Sequence, residues 1–421
     1  MVRNSQSNSG SNPGPLVRWA REQLLARLRG LEHGQIVLEE GSRRQLFGTQ
    51  DPQDPIRVTL VVEDARFYTD LAFRGTLGAG EAYMAGYWSA DDLSELTRLV
   101  VKNAGIMDGL DRIANRVAMP FLRIYHWLNR NSRAGSRRNI ARHYDLGNDF
   151  FSLVLDPTLT YSCGIFENRD STLEEASISK YDRICRKLRL APGQRLLEIG
   201  TGWGGFALHA AQRYGAQVTT TTISREQHER ASERIQRAGL SDRVTLLLED
   251  YRNLSGRYDR LVSIEMIEAV GERYFDTYFS KCSSLLEADG LMLIQAITVP
   301  DRRYASHVRS VDFIKRYIFP GGCLPSVERM MRAVMRGTDL RLSHLEDITP
   351  HYAQTLRRWR ESLLANVERI RSLGYPQRFV RMFEFYFAYC EGAFEERWVG
   401  DVQLLFAKPE CRDEIVLGSL A

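Results

Sequence analysis

Residues Arg195 to Phe206 read "RLLEIGTGWGGF": an apolar run, an acid at Glu198, then glycines at 200, 202, 204 and 205. A strand that ends in such a turn and opens a helix brings its backbone close to a ligand and leaves free N–H groups at the helix start. Gly200, Gly202 and Gly205 satisfy the dinucleotide pattern G-x-G-x-x-G. A dinucleotide site also needs an acid at the end of the next strand to hold the ribose, and Val218 to Thr222 offer none. The six cysteines show no C-x-x-C and no regular spacing. Neither a zinc site nor a disulfide framework is expected, no metal is assigned, and a reducing cytosol is the default compartment.

The elements that must position this turn are legible as apolar strands alternating with helical stretches: "RLLEIG", "QVTTTTI", "RVTLLLED", "DRLVSIE", "GLMLIQAI". That alternation predicts an α/β fold with a doubly wound parallel sheet and helices on both faces. "VQLLFAKP" reads as a final, antiparallel strand. At 421 residues, 43% of them hydrophobic, the chain is long enough for two domains. Residues 1–15 read as a disordered tail, 16–130 as a smaller α+β domain and 131–421 as the main one. In the small domain, "LVRWAREQLLARLRG" spaces Leu16, Trp19, Ala20, Leu24 and Leu28 as a basic amphipathic helix, which either packs on its own domain or lies on anionic lipid. Short β-like runs follow from Gln35 to Thr76. "GAGEAYMAGYWSADDLSELTRLVV" reads as a glycine-punctuated turn leading into a helix.

A net charge of +4 is too weak to argue for nucleic acid. Eight arginines and no Asp or Glu fall between Arg112 and His143, a stretch that either meets phosphates or forms a solvated helix face, and "NRNSRAGSRRNIARHY" at its end reads as a linker or hinge. No apolar run reaches the length of a membrane span, and the start lacks the apolar core of a signal peptide.

The form "LLEIGTGWGG" resembles the first motif of S-adenosylmethionine-dependent methyltransferases. With "GEAYMAGYW", "HYDLGNDFF", "LTYSCGIF", "TTISREQ", "EDYRNL", "IEMIEAVGERYFDTYF", "YIFPGGCLPS" and "AYCEGAF" in order from about residue 80 to 395, the chain resembles the cyclopropane-fatty-acyl-phospholipid synthase family, which includes the mycolic acid cyclopropane synthases. The resemblance implies a class I methyltransferase sheet with S-adenosylmethionine as cofactor. Tyr161 and Ser162 would meet its methionine end. Glu198, Gly200, Gly202 and Gly204 form the turn beneath it; Thr222, Ile223 and Gln227 would hold the ribose region, and Asp250 and Tyr251 the adenine.

The implied reaction is methyl transfer to the double bond of an unsaturated phospholipid acyl chain, followed by proton loss and closure of a cyclopropane ring. In the family, bicarbonate is the implied base. Its matching holders here are Cys163, Glu268, the N–H of Ile297, and Tyr352. Glu268 follows the apolar strand "DRLVSI" and Ile297 lies near the end of "GLMLIQAI", which puts both at the carboxyl edge of the sheet. Where the family has a histidine, this chain has Gln295, which can donate an N–H to an anion but cannot titrate. Ala269 stands where many relatives have another. A methylene or methyl branch instead of a ring is the alternative outcome, and a non-catalytic lipid-binding relative a further one. "YIFPGGCLPS" is expected to wall the acyl channel, and the aromatic-rich stretch from Leu356 to Phe394 to complete it. The implied setting is cytoplasmic, with transient docking at the inner face of the membrane and a possible homodimer.

Overall fold

The computed structural model describes residues 14–105 and 147–413. The arginine-rich stretch, the expected hinge and domain boundary, and nearly all of the tail lie outside them. The chain forms two compact units.

In the first unit, a helix over Pro15–Leu28 starts on a proline whose missing N–H costs nothing there. It buries Ala20, Leu24 and Leu28 as the spacing predicts, while Leu16 stays 55% exposed. Strands β1 (Gly34–Glu40), β2 (Arg43–Thr49), β3 (Arg57–Val62) and β4 (Trp88–Ala90) form a sheet in the order β2-β1-β3-β4. The hairpin strand β2, largely exposed and without apolar alternation, is absent from the sequence reading. A second correction concerns "GAGEAYMA", which is not a turn: it lies in the helical segment Arg66–Ala85, kinked at Gly75 (φ 55°, ψ −140°). A Cβ on Gly78 would stand 2.0 Å from the Asp70 carbonyl oxygen. Glycine there permits close packing rather than chain reversal, and only Gly86 (φ 79°) ends the helix.

The second unit is built on seven strands, β5 (Arg195–Ile199), β6 (Gln217–Thr222), β7 (Val244–Leu248), β8 (Tyr258–Ile264), β9 (Leu286–Thr298), β10 (Arg341–Asp347) and β11 (Gly400–Ala407). Their order is β10-β11-β9-β8-β5-β6-β7. β5 to β9 run parallel, and β11 is antiparallel to both β9 and β10. The doubly wound sheet and the antiparallel final strand are as expected; the exposed edge strand β10 was not foreseen. Alternate residues bury two apolar layers. Leu197, Leu261, Met292, Ile294 and Leu404 face one way, and Leu196, Val218, Val262, Leu293 and Leu405 the other.

On the second face the alternation breaks near the carboxyl edge. Gln295 lies opposite Gln403, and Ile297 opposite Asp401. Gln295, Gln403 and Asp401 are thus polar residues at positions in line with Leu293 and Leu405, and all three are fully buried. Buried polar groups at apolar positions need partners, and those partners make the candidate site.

Candidate active site

The glycine turn follows β5. Gly200, Gly202 and Gly204 have φ of 106°, 53° and 84°, a region that glycine adopts without strain. A Cβ on Gly202 would meet nothing within 4 Å, so the backbone there borders open space. The turn is held from behind. The N–H groups of Gly200 and Thr201 donate to the Thr221 carbonyl at 3.0 Å each, and Trp203 Nε1 donates to Asn148 Oδ1 at 2.7 Å. Glu198 points inward: Thr220 Oγ1 donates to its carboxyl at 2.6 Å and lies 2.7 Å from Thr201 Oγ1. Full burial pushes the Glu198 carboxyl up to about 8, so it is neutral at pH 7.

The other residues assigned to the cofactor line the same edge. Thr222, ending β6, donates to Gln227 Oε1 at 2.9 Å, with Ile223 half-buried between them in sequence. Asp250, just past β7, takes the Arg252 guanidinium on both oxygens (2.8 and 2.6 Å) beside the half-buried Tyr251. Ser162 Oγ accepts a 2.6 Å hydrogen bond from Lys180, a lysine with no exposed surface. The Tyr161 hydroxyl donates to the Tyr386 hydroxyl at 3.3 Å. An open run of turn backbone flanked by a threonine–glutamine pair and a buried acid fits an adenosyl group, the turn supplying N–H donors and the sheet edge its polar ends.

The residues assigned to an anion also come together, around a side chain absent from the sequence reading. Glu265, one residue past β8, places Oε1 2.8 Å from the Cys163 N–H and 2.8 Å from Gln295 Nε2. Its Oε2 accepts from the Tyr352 hydroxyl at 2.5 Å. The Ile297 N–H instead donates to Glu268 Oε1 at 2.6 Å. Bicarbonate does not fit this arrangement, because the donors that would hold it already serve two carboxyl groups of the chain itself. Glu268 is half-buried, its Oε2 is buried with no partner among the described residues, and desolvation beside Glu265 pushes its carboxyl up to about 8. Asp401 is driven well up by burial and by Glu265, and its Oδ2 lies 3.3 Å from Gln295 Nε2. The Cys163 thiol, pushed up by burial, points to the Gly164 carbonyl at 3.2 Å, so only its backbone serves the cluster.

A relay of donors sets the direction of Gln295. Lys187 is donor-only, so Gln403 turns Oε1 toward it (2.7 Å) and gives its amide N–H to Gln295 Oε1 (3.0 Å). Gln295 is left with its N–H groups aimed at Glu265. Glu265 itself has φ 48°, a left-handed backbone that costs a non-glycine residue about 1–2 kcal/mol.

Aromatic rings gather beside the cluster. Tyr161 lies 5.2 Å from Phe151, 5.1 Å from Trp359 and 6.3 Å from Phe319, and Tyr352 stacks on Phe394 at 4.3 Å. Phe319 and the buried Ile318 belong to the expected wall, which opens as a wide helical turn over Ile314–Ile318. Such ring faces suit an apolar chain and a passing positive charge.

The sheet order and the glycine turn at its carboxyl edge define a class I S-adenosylmethionine-dependent methyltransferase. The solved mycolic acid cyclopropane synthase CmaA1, complexed with SAH and CTAB, superposes with a TM-score of 0.61 at 32% identity, over 65% of this chain and 98% of that one. The family described as mycolic acid cyclopropane synthetase matches residues 131–404, and the chain belongs to it. The tuberculostearic acid methyltransferase UfaA1 of Mycobacterium tuberculosis is 40% identical over 77% of each chain. The cyclopropane-fatty-acyl-phospholipid synthase of Escherichia coli is 37% identical over 82% of this chain and 87% of that one. This chain is an S-adenosylmethionine-dependent methyltransferase. Among the described residues, no helix is long and apolar enough to cross a membrane and no metal-ligand cluster occurs.

Sequence reasoning missed Glu265, Asp401, Gln403 and Lys180. Glu265 had a signal, since "IEMIEAVG" carries two acids three residues apart just past an apolar strand. Asp401 and Gln403 become visible only through strand register.

Proposed function

We propose that the chain transfers a methyl group from S-adenosylmethionine to one carbon of a double bond in unsaturated phospholipid acyl chains. The observation that carries this reading is the pairing, at one sheet edge, of the glycine turn with a buried carboxyl cluster under aromatic rings. An alkene is a weak nucleophile, so the reaction needs a close, dry site, and the charge it leaves on carbon needs both stabilisation and a proton acceptor. Bound at the turn, S-adenosylmethionine supplies an electrophilic methyl. Tyr161, Trp359 and Phe319 keep water away and present ring faces to the cation. Ser162, Thr222, Gln227 and Asp250 position the cofactor, and the carboxyl cluster receives the proton.

Ring closure to a cyclopropane is the first reading of the outcome. A methylene branch is the second, supported by Gln295 in place of a titrating histidine and by similarity to a protein named for tuberculostearic acid. A saturated methyl branch would need a hydride donor in addition. We place the reaction at the cytoplasmic face of the membrane, where a chain lacking a span among its described residues would dock transiently. The test is transfer of labelled methyl to vesicles of unsaturated phospholipid, with saturated vesicles as control and isomer-resolving mass spectrometry of the released acyl chains. Label in the unsaturated lipid alone is the expected result; equal labelling of both, or of neither, refutes the substrate.

A further inference from the structure

We propose that Glu265 is the proton acceptor of this methyltransferase, built into the chain where an external bicarbonate would otherwise sit. The inference rests on the proposed reaction and deepens it. Three donors from three separate elements converge on one carboxyl: the Cys163 N–H and Gln295 Nε2 at 2.8 Å each, and the Tyr352 hydroxyl at 2.5 Å. That donor set suits a carboxylate. Among the described residues no cation lies within ion-pair distance of Glu265; the buried Lys180 donates to Ser162 Oγ instead. Burial pushes the two acidic neighbours of Glu265 up, Glu268 to about 8 and Asp401 well above its ordinary value. A bicarbonate at this place would find the Cys163, Gln295 and Tyr352 donors already taken by Glu265.

The backbone makes the same point. Glu265 holds φ 48°, where glycine would be unstrained. A strained backbone held by a convergent hydrogen-bond set belongs to sites where side-chain placement matters more than stability. The Glu265 N–H donates to the Gln295 carbonyl at 2.8 Å, so strand β9 fixes both backbone and side chain of the base.

The step balances with these groups. The π pair of the alkene forms the new C–C bond while the C–S pair stays on sulfur, leaving positive charge on the neighbouring carbon. Glu265 then takes one proton from the transferred methyl carbon. The freed C–H pair closes onto the cationic carbon to give a ring or, after a hydride shift from the methylated carbon, forms an exocyclic double bond. Glu265 ends as a carboxylic acid and returns its proton to water between turnovers.

The experiment compares the full-length protein with E265Q and E265G, in carbon-dioxide-free buffer and with bicarbonate or formate added. Methyl transfer to unsaturated vesicles is one readout; calorimetric titration of bicarbonate into the protein saturated with S-adenosylhomocysteine is the other. The wild type is expected to work equally well without bicarbonate and to show no bicarbonate heat. E265Q is expected to lose about 100-fold or more in rate, unrescued, with S-adenosylhomocysteine affinity unchanged. E265G frees the three donors at a position glycine tolerates, so it is expected to bind bicarbonate and to regain activity with it. A wild type that binds or requires bicarbonate, or an E265Q that keeps its rate, overturns the proposal. If no methyl reaches unsaturated lipid at all, the substrate reading fails, while the titration still decides whether Glu265 holds the anion's place.

Discussion

Replacing Glu198 by glutamine should change how stability depends on pH in a way fixed by the burial of this one acid. Its carboxyl is fully buried, accepts one hydrogen bond from Thr220, and is shifted from 4.5 to about 8 in the folded state. Below pH 4.5 both folded and unfolded chains carry the proton, and the acid is neutral in its buried place. As pH rises from there toward 8, the unfolded chain releases the proton and the folded chain keeps it. Unfolding is therefore favoured by about 1.4 kcal/mol per pH unit, and the loss is complete once pH passes the folded value. Over the whole window it is capped at roughly 5 kcal/mol. Glutamine keeps an acceptor for Thr220 and does not titrate. At pH 5 the two proteins should agree within about 1 kcal/mol, and by pH 8.5 E198Q should be the more stable by several. Calorimetric melting at pH 5.5, 7.0 and 8.5 reads this as a gap in Tm that widens with pH, by roughly 2 °C per kcal/mol. The difference between the two proteins cancels the titration of Glu268 and Asp401. Parallel curves would mean that Glu198 is ionised in the folded protein, and the account of the turn as resting on a neutral acid would fail.

Two further substitutions probe the relay and the turn. Q403L removes the donor that orients Gln295 and one of the two acceptors of the buried Lys187, which keeps Glu346. It should cost about 1–3 kcal/mol of stability, seen as a lower Tm, and slow methyl transfer without weakening S-adenosylhomocysteine binding. G202A places a methyl group at φ 53° over open space beside the turn. It should cost only about 1–2 kcal/mol in folding, while calorimetry shows markedly weaker S-adenosylhomocysteine binding.

The parallel strands and the glycine turn were legible because each is a local pattern, an apolar run ended by turn chemistry. The kinked helix around Gly75 and Gly78 was not, because glycine signals both a turn and a close approach, and only the Asp70 carbonyl distinguishes them. The strand β10 escaped because its exposed residues carry no burial pattern. At the site, Cys163, Gln295 and Tyr352 could be gathered by resemblance, yet what they hold could not. Glu265 meets Cys163 across 102 residues and Tyr352 across 87, separations that no periodicity encodes.

The chemistry of the amide explains why Gln295 and Glu265 belong together. A histidine facing an external anion can share its proton and adjust its charge. A glutamine offers a fixed N–H on one side and a fixed carbonyl on the other, so it suits an acceptor that never leaves. Lys187 and Gln403 fix the amide's direction from behind, and the left-handed backbone of Glu265 fixes the carboxyl from in front. With both held, the proton acceptor stands at one place relative to the turn, whatever the bicarbonate concentration. The choice between ring and branch then depends on how long the cation survives before Glu265 takes its proton. Early removal closes the ring; delay allows the hydride shift that moves the charge to the methylated carbon and yields the branch. Any change that loosens Glu265 without removing it should therefore alter the product ratio before it abolishes methyl transfer.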